Sequence, residues 1–378
     1  MKYKLEDICF YAKGKINVSS LTDTDYISTE NMLPNKGGVT TASSLPSTAQ
    51  TQAYQKGDVL VSNIRPYFKK IWFADCNGGC SNDVLVLRAK EDTDARFLYY
   101  VLADNAFFNY STATSKGTKM PRGDKTAIMQ YEVPYFELST QKKIARILSD
   151  IDDKIALNNN INNNLEQQAQ AIFANEFLSL ESQLNGWKQA SLIDIADYLN
   201  GLAMQKYRPT VDEIGIPVLK IKELRQGCCD NNSELCSPNI KSEYIIHNGD
   251  VIFSWSGSLL VDFWCGGICG LNQHLFKVTS SKYDKWFYYA WTKYHLNRFV
   301  AIAADKATTM GHIKRDELAK AEVLIPNKAD YNRIGALLQP IYDSIISNRI
   351  ENKKLAETRD TLLPKLMSGE LDMSNIDL

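Results

Sequence analysis

The sequence predicts a duplicated α/β (α+β) architecture, in which two globular domains alternate with two long coiled-coil helices. Three observations predict it. Short motifs recur in the same order about 190 residues apart, two apolar seams share one spacing, and short apolar runs bounded by turn residues precede each seam. The expected boundaries are 1–140 for the first globular domain, 141–182 for the first helix, 183–330 for the second domain, and 331–378 for the second helix with its tail.

The repeat is read from four matches. Tyr54-Gln55-Lys56-Gly57-Asp58-Val59-Leu60 returns as Ile246-His247-Asn248-Gly249-Asp250-Val251-Ile252, and Lys116-Gly117-Thr118-Lys119-Met120 returns as Lys306-Ala307-Thr308-Thr309-Met310. Leu5-Glu6-Asp7-Ile8 matches Leu192-Ile193-Asp194-Ile195, and Val133-Pro134 matches Ile325-Pro326. So long a period excludes a solenoid unit and points to a duplicated domain pair.

Within the globular parts, Val84-Leu85-Val86-Leu87 and Asp250-Val251-Ile252-Phe253 read as buried strands launched from Asn-Asp or Gly-Asp turns. Arg96 to Leu102 and Trp286 to Trp291 read as buried helices.

The two long helices carry the clearest pattern. In the first, Ile144, Leu148, Ile151, Ile155, Asn158, Asn162, Leu165, Ala169 and Ile172 alternate spacings of four and three. Ile334, Leu338, Ile341, Ile345, Asn348, Asn352, Leu355, Arg359 and Leu362 repeat that pattern in the second. Such a seam means coiled coil. Asn158, Asn162, Asn348 and Asn352 occupy matching seam positions, where an amide costs stability but fixes register and partner. This favours pairing of the two helices with each other and leaves open whether they belong to one chain or two. Arg359 breaks the pattern, so the second seam is expected to loosen there.

Composition excludes several classes. The N-terminus lacks the apolar run of a secretory signal, and no apolar stretch is long enough to span a bilayer. Eight cysteines in 378 residues do not make a disulfide scaffold and suit a reducing cytoplasm. The net charge of −1, from 43 basic and 44 acidic residues, does not announce nucleic acid. Any such binding rests on local basic patches, whose fields reach roughly 10 Å at moderate salt.

Several local runs resemble those of type I restriction-modification specificity subunits: Gly57-Asp58-Val59-Leu60, Gly249 to Gly257, Leu271-Asn272-Gln273-His274, Gly117 to Lys125, and Leu362 to Glu370. Each is weak alone. Their order, with the repeat and twin seams, extends the resemblance over nearly the whole chain. It implies duplicated target-recognition domains, one at each end of an antiparallel helix pair, docked onto two methyltransferase (modification) subunits. Restriction then requires separate restriction/translocase subunits, and the target on double-stranded DNA is bipartite with an unread spacer.

No catalytic centre is expected. An adenine methyltransferase needs an Asn/Asp-Pro-Pro-Tyr/Phe run, and Ile64-Arg65-Pro66-Tyr67 lacks both its leading polar residue and its second proline. A translocating ATPase needs a Gly-x4-Gly-Lys-Ser/Thr loop, which is absent. Cys76 and Cys80, matched by Cys265 and Cys269, together with Cys228, Cys229 and Cys236, read as small buried residues near turns rather than zinc ligands. No metal or cofactor is expected.

DNA contact is expected from three pairs of loops. Lys116, Thr118, Lys119 and Arg122 share one loop, and its counterpart holds Lys306, Thr308, Thr309, His312, Lys314 and Arg315. Arg65, Lys69 and Lys70, following Ser62 and Asn63, correspond to Ser254, Trp255 and Ser256. Lys206, Tyr207 and Arg208, following Met204 and Gln205, stand beside Asn17, Ser19 and Ser20 of the first copy. Cations there neutralise phosphates, while Arg, Lys and Thr can reach base edges. A reader serving a related type II-like restriction-methylation system shares this signature, and so in part does a coiled-coil adaptor that binds no DNA.

Overall fold

The computed structural model describes residues 2–179, 186–305 and 315–373. It divides into two compact units, Met1–Asp153 with Ala356–Leu378, and Lys154–Leu355. The division cuts both long helices, Leu138–Phe177 and Lys328–Ser368, instead of falling at their ends. Each helix half is part of a different core, which is why contacts group that way.

In the first unit, strands Cys9–Tyr11, Val84–Ala89, Val59–Ser62 and Ile71–Phe73 form an antiparallel sheet in that order. A second sheet orders Lys15–Asn17, Gln50–Tyr54, Gly78–Cys80 and Tyr26–Ile27, the last pair parallel. The second unit repeats the plan. Asp197–Asn200, Leu275–Thr279, Val251–Ser254 and Leu260–Phe263 form one sheet, and Leu235–Cys236, Ile216–Leu219, Cys269–Leu271 and Ile245–Ile246 form the other.

The structure explains the repeated Gly-Asp pair. Gly57 and Gly249 adopt φ of 91° and 85°, which a Cβ disfavours. The next residue's carboxylate closes the turn, accepting from Gln55 N at 2.7 Å and from His247 N at 2.9 Å. The same carboxylates anchor the neighbouring strand. Arg88 grips Asp58 with two bonds of 2.7 and 2.8 Å, and Lys277 reaches Asp250 at 2.9 Å. The motif therefore launches the central strand of each unit.

Helices Ala95–Ala103 and Lys285–Tyr294 cover these sheets, as the apolar runs predict. The first core joins Val59, Val61, Leu85 and Leu87 to Phe97, Val101, Ile144, Leu148, Leu363 and Leu366. The second joins Val251, Phe253 and Phe287 to Phe173, Phe177, Ile334, Leu338 and Ile345.

Every predicted seam position on both helices is buried or half-buried. The helices run antiparallel within one chain. In the second unit, Asn158 Nδ2 donates to Asn352 Oδ1 at 2.8 Å, and Asn348 Nδ2 donates to Asn162 Oδ1 at 2.9 Å. Asn158 and Asn162 are only 1% and 5% exposed. Arg349 pairs with Glu166 at 2.8 Å and Arg333 with Glu176 at 2.7 Å, so numbers rise on one helix as they fall on the other. The expected loosening at Arg359 is corrected by the first unit, where its guanidinium pairs with Asp152 and the helix continues unbroken.

Candidate nucleic-acid interface

In the first unit, two sequence-distant candidate loops become one surface. The strand Val59–Ser62 runs into Asn63-Ile64-Arg65, and the Lys116–Gly123 loop lies beside it. Arg65 N donates to Pro121 O at 2.8 Å, and Gly123 N to Asn63 O at 3.0 Å. Lys116 and Arg122 exchange backbone bonds of 2.8 and 2.9 Å, pinching the loop so that Thr118 and Lys119 stand at an exposed tip. Arg122 is oriented by Asp83 at 3.1 Å, and Lys116 by Asp124. Lys116 holds the Asp124 carboxyl below its usual range, helped by the backbone N–H groups of Ala127 and Thr126 that it caps.

Lys69 Nζ donates to Asn105 Oδ1 at 2.8 Å, and Lys70 Nζ donates to the Thr29 carbonyl. Partial burial lowers the Lys70 pKa. Asn17 ends a strand of the other sheet, and Ser19 and Ser20 lie in the short helical turn that follows it. Ser20 Oγ bonds the Asn17 carbonyl at 2.7 Å, and among the described residues no hydrogen bond joins these three to the Arg65 or Lys119 loops.

In the second unit the Trp255 candidate meets side chains from two other segments. Trp255 Nε1 donates to Asn200 Oδ1 at 3.1 Å, and its ring lies 6.2 Å from His274. Ser256 Oγ contacts His274 Nδ1 at 3.2 Å, and Gln273 Nε2 contacts His274 Nε2 at 3.3 Å. Gln273 N then donates to Leu202 O at 2.8 Å, which leads into the turn Met204–Lys206 and on to exposed Tyr207 and Arg208. Arg208 approaches Glu234 at 3.8 Å.

Ser254 and Ser256 differ from the other candidates. Ser254 is 0% exposed, and its hydroxyl donates to the Ser256 and Ser258 carbonyls. Ser256 is buried too. Both shape the turn that presents Trp255 and do not face solvent. Arg315 is exposed at the start of Arg315–Ala319. Lys306, Thr308, Thr309, His312 and Lys314 lie outside the described residues.

Sequence reasoning did not pick out Asn200, Gln273 and His274 as parts of this surface, although Leu271 to His274 is one of the runs that carries the resemblance. The candidate runs Ser62 to Lys70 and Thr114 to Arg122 contain Tyr67, Phe68 and Met120 but assign them no contact, and their apolar side chains are exposed beside the cations. Contiguous exposed apolar side chains point to contact with a partner.

Among the described residues, no group of three or more His, Cys, Asp or Glu is placed to hold a metal ion. All eight cysteines are free thiols, and burial pushes the Cys80 thiol up to about 12, so it stays protonated. No helix among the described residues is long and apolar enough to cross a membrane.

The family model described as type I restriction modification DNA specificity domain matches residues 1–167 and again 185–357. The chain belongs to this family. Its two specificity domains account for the repeat, and each contains one of the two surfaces above. The MjaIX specificity subunit of a Methanocaldococcus jannaschii type I restriction enzyme is 26% identical over 312 residues, covering 76% of this chain and 71% of its own. The HindI specificity subunit of Haemophilus influenzae is 22% identical over 457 residues, covering 98% and 99%. A crystal structure of a type I restriction-modification system S subunit from M. genitalium superposes with a TM-score of 0.60 at 15% identity, covering 99% of this chain and 96% of that one. That likeness establishes the duplicated fold.

Proposed function

We propose that this specificity-family chain is the DNA-reading subunit of a type I restriction-modification complex, and that it is itself non-catalytic. Each unit reads one half of a bipartite target on double-stranded DNA, and the base pairs between the halves are not read. Two methyltransferase subunits supply methylation, separate restriction/translocase subunits supply cleavage, and the assembly works in the cytoplasm.

One observation carries this reading. Each specificity domain gathers sequence-distant polar side chains onto one loop surface, around Arg65, Lys119 and Arg122 in the first unit and around Asn200, Trp255 and His274 in the second. Loop cations contact phosphates and place the duplex, while the amides, imidazole and guanidinium groups read base edges. The described residues offer no arrangement suited to holding a metal, and the sequence has no phosphate loop.

Sequencing of modified bases in cells with and without the gene tests the proposal. A two-part methylated motif that vanishes with the gene is the expected result. Methyl transfer by the purified chain alone would overturn the non-catalytic assignment, and an unchanged methylome would overturn the reader role.

A further inference from the structure

Among the described residues, four that are not glycine adopt left-handed backbone conformations: Asn35, Lys36, Arg65 and Lys69, with φ of 55°, 61°, 50° and 53°. A side chain with a Cβ makes that conformation costly, and lysine and arginine gain no local bond there as asparagine can. The four are not scattered. Asn35 N donates to Phe68 O at 2.8 Å and Lys36 N to Lys69 O at 2.9 Å, so both strained pairs close one knot around the turn Pro66–Phe68.

A second, independent cost lies in the same place. Only three buried side-chain polar atoms among the described residues lack a hydrogen-bond partner, and two of them are Asn63 Oδ1 and Arg65 Nε. Asn63 is 8% exposed. Strain and unpaired polar atoms persist together where surrounding structure holds a functional geometry in place.

The knot is braced on both sides. Lys69 Nζ is held by Asn105, and the half-buried Lys36 ammonium lies in the electrostatic field of the Asp360 and Asp104 carboxylates. The Arg65 guanidinium, by contrast, makes no ion pair with a described residue, and beside it the Tyr67 and Phe68 rings are exposed, 4.8 Å apart.

Resting on the proposed function, we infer that this knot is the base-discriminating element of the first unit. Arg65 presents its rigid donor fork to O6 and N7 of a guanine in the major groove, and Tyr67 and Phe68 pack against the neighbouring base. The backbone that carries the fork is held before binding by Pro121, Asn35 and Lys36, so discrimination does not depend on ordering a loop.

The test uses the chain purified with its methyltransferase subunits, on duplexes carrying the methylated motif and every single-base-pair change in both half-sites. Arg65→Lys keeps the charge and removes the fork. It should lower preference for one base pair of one half-site by roughly ten- to a hundred-fold, with the salt dependence and the other half-site unchanged. Lys36→Gly relieves a strained residue outside the proposed contacts. It should leave the unfolding temperature unchanged or raised while the same base-pair preference falls several-fold. Unchanged preference in Arg65→Lys, or equal losses at all positions, would overturn the inference. A Lys36→Gly variant that loses stability but keeps its preference would show a purely structural knot. Wild-type complex without any sequence preference would instead overturn the proposed function itself.

Discussion

Arg359 Nη1 donates to Asp152 Oδ1 at 2.7 Å, and the other oxygen of Asp152 accepts from the Tyr100 hydroxyl at 2.7 Å. A seam position that reads as a break thus ties the returning helix to the outgoing one and to the globular part of the first unit. Arg359 is also oriented by Asp360, and its two acidic neighbours offset desolvation and keep its pKa raised.

Breaking this link should hurt more than replacing it. Asp152→Ala strands a half-buried guanidinium and leaves the Tyr100 hydroxyl unpaired, so chemical denaturation should show a loss of about 1–3 kcal/mol. The double change Asp152→Leu with Arg359→Met should recover much of that loss. Equal losses in the single and double variants would show that the ion pair does not hold the helices together.

The matched amides make a related prediction. Asn158→Leu alone leaves Asn352 facing an apolar side chain and should cost about 1–2 kcal/mol. Leucine at all four positions, Asn158, Asn162, Asn348 and Asn352, should raise the unfolding midpoint while extra oligomers appear in light scattering, because leucine pairs in several registers. A uniquely monomeric, more stable quadruple variant would remove the register role.

Phosphate contact has a salt signature. Lys119→Ala and Arg122→Ala should each weaken binding to all duplexes alike and reduce the slope of log K against log salt by about 1. A loss confined to one base pair would assign those residues to base reading.

His295 gives a pH dependence. Its Nε2 lies 2.8 Å from the Glu322 carbonyl, and burial lowers its pKa below the usual 6.5. The unfolded chain therefore binds a proton more readily than the folded one. The stabilisation is complete above the unfolded pKa and is lost as pH falls from about 6.5 through the lower folded value. Denaturation of the full chain between pH 7.5 and 5 should show this acid-side loss, and His295→Gln should flatten it.

If the helix pair sets the unread gap, its length is adjustable. Seven residues added between Asp153 and Lys154, and seven between Leu355 and Ala356, keep both seams in phase and lengthen the pair by about 10 Å. At about 3.4 Å per base step, the methylated motif should gain roughly three unread base pairs with both half-sites unchanged. A gap that ignores this insertion would show that the helices do not measure it.

By itself the sequence determined the duplication, the element types and the seam. Each is local and periodic: Ile144 to Ile172 repeat every few residues because a helix turns every few residues, and the Gly-Asp pair recurs because one turn geometry launches both central strands. Register followed as well, since an amide in an apolar seam is satisfied best by another amide, as Asn158 finds in Asn352. Only the tertiary structure decided what lies beside what. It brought Arg65 against Pro121, set His274 between Trp255 and Gln273, buried Ser254, gave Arg359 its partner in Asp152, and tied Asn35 and Lys36 to Phe68 and Lys69. Most of those pairings join residues far apart in the chain, through irregular turns or, for Arg359 and Asp152, through a side-chain ion pair between helices. They follow no period, so no window of sequence contains both the side chain and the reason for its position.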